Sequence, residues 1–195
     1  MREIVLATGN PGKLREMAAI ARPYGLRIVA LPQGTPLPEE TGESFLENAR
    51  LKARHVHRQT GLPALADDSG LEVDALGGAP GIYSARFSGP GATDVRNNEL
   101  LLRRLADAQR RTARYRAAVV LVDAGCEWSA VASWEGEILT APRGQGGFGY
   151  DPLFLVPELG LSAAELSPEE KSRRSHRGQA MRMLCGLVAG RMELV

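Results

Sequence analysis

Short apolar runs of strand length alternate with stretches whose apolar residues recur at helical spacing, and the two types are interleaved along the whole chain. Ile4 to Ala7 is such a run, ending at Thr8-Gly9. Asn10 and Pro11 then supply an N-cap and a first helical residue, and Leu14, Met17, Ala18 and Ala21 fall at i, i+3, i+4 and i+7. Gly25 ends that helix and Leu26 to Leu31 reads as a second strand. A Pro- and Gly-rich loop follows at 32–42, then a helix capped by Ser44 with Glu47, with Leu46, Ala49, Ala53 and Val56 inward. A strand is expected over Leu62 to Ala66, a helix over Asp94 to Ala108, and two long strands over Tyr115 to Val122 and Trp128 to Leu139 that make a hairpin about Asp123-Ala124-Gly125. Ser167-Pro168-Glu169-Glu170 opens a closing helix carrying Met181, Leu184 and Leu187-Val188. Interleaving without segregation implies an α/β fold, and the hairpin makes its sheet mixed.

The 195 residues suffice for one domain with a sizeable core, and the formal net charge of +1 gives no general attraction to nucleic acid or an anionic membrane. Cys126 and Cys185 lack a nearby Cys or His at zinc-ligand spacing and read as reduced core thiols. The apolar stretch after Met1 is too short for a secretory signal and no run reaches transmembrane length, so a cytoplasmic location is expected.

Four segments carry residue types suited to chemistry. Thr8-Gly9-Asn10-Pro11-Gly12-Lys13 lies where a strand turns into a helix, a corner that either binds phosphate through backbone N–H groups and Lys13 or simply starts a helix. It is not a Walker A loop, because Lys13 is followed by Leu14 and no hydroxyl is offered to magnesium. Ala66-Asp67-Asp68-Ser69-Gly70 ends a strand in two carboxylates, which point to opposite faces if the strand persists; otherwise they make a solvated turn. Magnesium takes one or two carboxylates plus substrate phosphates, so one Asp here with one of Glu39 and Glu40 suits it.

In the third segment, Gly144 to Pro152, four of nine residues are glycine, and Phe148 and Tyr150 can either stack on a base or cap the core. Asp151 can accept from ring or sugar donors. The fourth segment holds Lys171, His176 and Arg177, donors suited to a purine O6 or, alternatively, a solvated helix end. No serine lies in a Gly-x-Ser-x-Gly elbow, which disfavours a Ser-His-Asp hydrolase.

Together with Glu39-Glu40-Thr41-Gly42, Gly77-Gly78-Ala79-Pro80-Gly81 and Ser175-His176-Arg177-Gly178, these motifs resemble, in unbroken order over nearly the whole chain, the inosine/xanthosine triphosphate pyrophosphatase family. The resemblance implies a single functional domain over 1–195, with an elongated mixed β-sheet flanked by helices and two lobes with an active-site cleft between them. It further implies a homodimer and Mg2+-dependent release of pyrophosphate from dITP, ITP and XTP. By motif position, Thr8, Gly9, Asn10, Pro11, Gly12 and Lys13 would hold the triphosphate, Asp68 would bind metal and act as base, Glu40 would be the second metal ligand, and Ser69 would contact substrate. Phe148, Gly149, Tyr150, Asp151, Lys171, His176 and Arg177 would contact base and phosphate. A pyrophosphatase for another modified nucleotide, or a nucleotide sensor without turnover, are the competing readings.

Overall fold

The computed structural model describes residues 2–192, so Met1 and residues 193–195 of the expected 1–195 domain lie outside the described part. Seven strands form one sheet among these residues: β1 (Arg2–Leu6), β2 (Leu26–Val29), β3 (Ala64–Val73), β4 (Thr112–Asp123), β5 (Cys126–Ile138), β6 (Phe154–Val156) and β7 (Leu161–Ser162). Their spatial order is β2-β1-β3-β4-β5-β6-β7. β1 runs parallel to β2 and β3, whereas β6 is antiparallel to both β5 and β7, so the sheet is mixed as expected. β4 and β5 are neighbours joined through Ala124 and Gly125, where Gly125 takes φ +82°. The helices are α1 (Pro11–Ala21), α2 (Phe45–Thr60), α3 (Asp94–Arg104), α4 (Pro168–Arg174) and α5 (His176–Met192), and none of the described helices is long and apolar enough to cross a membrane.

The chain packs as two compact units, each built from separated stretches. The first takes in residues up to Asp68, 117–132 and from His176 onward; the second takes in 69–116 and 133–175.

In the first unit strand alternation sorts the core into two layers. Ile4, Leu6, Leu65, Val119 and Leu121 pack with Met17 and Ile20 of α1 and with Met181, Leu184, Cys185 and Val188 of α5. Val5, Ala7, Ala64, Ala66, Ala118 and Val120 pack with Ala49, Ala53 and Val56 of α2. Odd and even positions of β3 therefore face different helices.

The second unit has its own core, in which Leu71, Val73, Leu101, Leu105, Tyr115, Trp134, Tyr150, Leu153 and Phe154 meet. Its centre is aromatic, with the Tyr115 and Phe154 ring centroids 4.5 Å apart and those of Trp134 and Phe154 5.1 Å apart.

Several boundaries differ from the sequence reading. β3 does not stop at Ala66 but continues through Asp67, Asp68, Ser69 and Gly70 to Val73, so these residues are strand and not a turn. Burial of Leu71 and Val73 explains the extension, since the polar step only interrupts an apolar pattern that resumes beyond it. Both expected capping boxes are half-formed. Ser44 and Ser167 accept from the N–H groups of Glu47 and Glu170, but the Glu47 carboxylate goes to the Glu43 N–H and the Glu170 carboxylate goes to Arg173 and Arg174. Leu187 lies exposed on α5, and of the two free thiols Cys185 is buried while Cys126 is only half-buried.

Candidate functional site

The corner at residues 8–13 is a capped helix start. Asn10 Oδ1 accepts from the N–H groups of Gly12 at 2.8 Å and Lys13 at 3.3 Å, and Thr8 Oγ1 accepts from the Asn10 N–H at 3.2 Å. The N–H groups expected to be open to phosphate at Asn10, Gly12 and Lys13 are thus already engaged, which is what a short Asn side chain at an N-cap does. What the corner projects instead is the Lys13 ammonium, 2.6 Å from Asp67 Oδ2.

Asp67 follows Leu65 by two residues and faces the same helices. Besides Lys13 of α1 it meets Arg177 of α5, whose Nε donates to Asp67 Oδ2 at 3.4 Å while its Nη1 donates to Glu16 Oε2 at 2.6 Å. Burial works against the ionised carboxylate, yet Lys13 and Arg177 outweigh it and hold Asp67 well below the ordinary carboxylate range. Lys13 itself is lowered, because burial and the neighbouring Arg177 and Lys52 charges exceed what Asp67 returns.

Asp68 shares the parity of Ala64 and Ala66 and so faces α2. There Lys52 Nζ donates to Asp68 Oδ1 at 2.9 Å and to Glu40 Oε1 at 2.7 Å. Burial pushes the Asp68 carboxyl above its ordinary value, with Lys52 only partly opposing, whereas Asp68 and Glu40 together hold Lys52 above its own in spite of burial. The loop carrying Glu40 is tied to the same helix: Asn48 Oδ1 accepts from the Gly42 N–H at 2.8 Å. A Cβ at Gly42 would come within 2.7 Å of Glu47 Cβ, so glycine is required by the close approach. Glu39 is exposed, which assigns the inward role of the pair to Glu40.

Among the described residues no group of three or more His, Cys, Asp or Glu side chains is gathered as a ready metal-ligand set. Magnesium does not need one, since one or two carboxylates with waters and substrate phosphates satisfy it. Asp68 Oδ2 is buried with no hydrogen-bond partner, a hard anionic oxygen of the kind such an ion takes, and Glu40 converges with Asp68 on one ammonium. The residues fit the ion.

In the second unit Asp151, 3% exposed, is a structural hub. It accepts from Lys171 Nζ at 2.5 Å, from the Phe148 N–H at 2.8 Å and from the Tyr115 hydroxyl at 3.3 Å. A Cβ on Gly147, which takes φ +73°, would run into the Asp151 carboxylate. The Lys171 ammonium sits 4.8 Å from the Phe148 ring centroid.

Tyr150, for which stacking on a base and capping the core were both open, is buried in the aromatic core at 4% exposure, with its hydroxyl donating to the Ser84 carbonyl at 2.8 Å and its phenol pushed up by burial. Only Phe148 of the two aromatics remains half-exposed. Of the cationic donors read from the fourth segment, Lys171 answers to Asp151 and Arg177 to Asp67 and Glu16. His176 opens α5 and is buried, and Ser69 is half-buried on β3.

Sequence reasoning missed Lys52, Glu16 and Asn48. Their signal was present: Asn48 and Lys52 stand four residues apart on the otherwise apolar, buried stripe of α2, where an unpaired charge would be too costly.

With this geometry in hand, comparison with known proteins gives concordant results. A model of the Ham1 family matches residues 4–187. A dITP/XTP pyrophosphatase of Thioalkalivibrio sulfidiphilus is 54% identical, the match covering 97% of this chain and 100% of the relative. Among solved structures, a HAM1 protein from Coxiella burnetii superposes with a TM-score of 0.89 at 44% identity, covering 97% of this chain and 100% of that one. The Ham1 protein of Staphylococcus aureus does so with a TM-score of 0.87 at 37% identity and the same coverage.

Proposed function

The chain belongs to the Ham1 family, and from that premise we propose that it hydrolyses non-standard purine nucleoside triphosphates, dITP, ITP and XTP, to the nucleoside monophosphate and pyrophosphate. The observation that carries this reading is the buried Asp68 carboxylate, which shares the Lys52 ammonium with Glu40 and keeps one oxygen without a hydrogen-bond partner.

Asp68 and Glu40 would hold Mg2+, which when bound neutralises phosphoryl oxygens and polarises the bond to be cut. Asp68 also accepts the proton of the attacking water. Lys52 holds the two acids at a common point before substrate arrives. Lys13, at the start of α1, offsets triphosphate charge, with residues 8–12 of the same corner and Ser69 as further contacts.

Phe148 offers a ring face to the base, and the 149–151 backbone and Lys171 complete that contact. His176 or Arg177 donating to O6 discriminates against adenine, whose amino group would leave a donor facing a donor. A buried mismatch of that kind costs about 1–3 kcal/mol. We read the whole span 1–195 as one functional domain, acting as a cytoplasmic homodimer, which sizing of purified protein and fractionation of cells will test.

A nucleotide panel with Mg2+, scored separately for pyrophosphate and orthophosphate, tests the function. Pyrophosphate should appear first from dITP, ITP and XTP, and chelation with EDTA should stop it. Intact ITP, or orthophosphate as the first product, overturns the proposal; preference for dUTP or methylated pyrimidine triphosphates would move the activity to another substrate.

A further inference from the structure

Both polar groups that flank Gly149 are gripped by one face of α3. Its N–H donates to Asp94 Oδ2 at 2.7 Å, and its carbonyl accepts from Asn98 Nδ2 at 2.9 Å. Asp94 and Asn98 stand four residues apart, so they share a helix face. Asp94 is not needed as the helix cap, because Thr93 fills that position and its Oγ1 accepts from the Arg96 N–H at 3.3 Å. The carboxylate still profits from the positive end of α3, which stabilises its charge without absorbing its hydrogen-bonding capacity.

The neighbouring N–H, that of Phe148, is held by Asp151. Two successive N–H groups are therefore fixed by two acids from different elements, one on α3 and one within the loop itself. Gly149 takes φ +64° although nothing would obstruct a Cβ there, so backbone conformation is the reason for glycine at that position. A segment with glycine at 144, 146, 147 and 149 has much freedom to lose, and left loose it would settle around a mismatched base as readily as around the right one. Ordering it beforehand lets a mismatched base appear as a difference in affinity.

We propose that Asp94 and Asn98 are positioning residues for purine selectivity, clamping Gly149 so that the Phe148 ring is held ready for the base. This rests on the reading that the 148–151 loop contacts the base, and the experiment separates the two. KM and kcat for ITP and GTP are measured for Asp94→Ala, Asn98→Ala, Asp94→Asn and Phe148→Ala, with thermal melting of each. Asp94 is exposed, so its variants serve even if Asn98→Ala fails to fold.

The expected result is a KM for ITP raised about tenfold in both clamp alanine variants, kcat within about threefold, and a reduced ITP-to-GTP ratio of kcat/KM. Asp94→Asn, whose amide oxygen can still accept from the Gly149 N–H, should stay within about threefold of the unmodified protein. If Phe148→Ala raises KM and the folded clamp variants do not, the clamp is refuted and the base contact stands. If Phe148→Ala leaves KM unchanged, both fall. Equal losses on ITP and GTP, or Asp94→Asn behaving like Asp94→Ala, would make the contact merely structural and overturn the inference.

Discussion

Asp67 and Asp68 are consecutive on β3, yet their surroundings are electrostatic opposites. On the α1 and α5 side, the acids Asp67 and Glu16 meet the cations Lys13 and Arg177. On the α2 side, Asp68 and Glu40 share the Lys52 ammonium. The first arrangement holds its carboxylate ionised far into acid; the second raises its carboxyl above the ordinary value. One step along a strand, reversing which face a side chain meets, is enough to move two neighbouring carboxyls in opposite directions.

The contrast breaks most sharply under Asp68→Asn, which should lower kcat about a thousandfold or more while nucleotide binding, followed by calorimetry, persists. Retained turnover would remove Asp68 from the reaction. Asp67→Asn should act on stability instead: the urea midpoint in EDTA should report a loss of about 3 kcal/mol at neutral pH, because Lys13 and Arg177 lose their shared acid. The sign with pH follows from the lowered carboxyl. Its ion pairs stabilise the fold above the unfolded value of about 4 and are lost as acid passes through the folded value, so the deficit of Asp67→Asn should shrink as pH falls.

Asp68 carries the reverse sign. Its raised carboxyl makes ionisation costlier in the fold than in the unfolded chain, so Asp68→Asn in EDTA at pH 7 should leave stability unchanged or increase it by up to about 1 kcal/mol. A loss as large as that of Asp67→Asn would erase the distinction between the two faces. The finest comparison lies between Glu40 and Glu39: Glu40→Gln should reduce activity about tenfold or more, and exposed Glu39→Gln should stay within about twofold. Equal effects would mean that the loop does not choose between them.

Much of this was legible before any coordinates. Strand alternation already placed Asp67 and Asp68 on opposite faces, the Asn10-Pro11 start of α1 stands as read, and the ordered motifs pointed to the family. Which aspartate faced which partners was not legible, because the answer lies in Arg177, 110 residues downstream of Asp67, and in Lys52 on another helix. Between stacking and capping the core, Tyr150 was undecided for a similar reason. An aromatic among glycines looks exposed until a carbonyl 66 residues away, that of Ser84, takes its hydroxyl. The Glu39 and Glu40 pair, inseparable in an irregular loop, is resolved by the reach of Lys52. Local pattern fixes direction along an element; identity of partners is a property of the closed fold.

The discontinuity of the first unit carries a consequence for biosynthesis. Arg177 and Glu16 are 161 residues apart, and the layer formed by Ile4, Leu6 and Leu65 is covered in part by Met181, Leu184 and Val188 of α5. A ribosome must therefore translate the 133–175 stretch of the other unit before that cover exists. At roughly 5–20 residues per second, the nascent chain carries an uncovered apolar layer, and an Asp67 that lacks Arg177, for several seconds. Nascent chains stalled before α5 should then be held by chaperones, and a stall placed after it should release them.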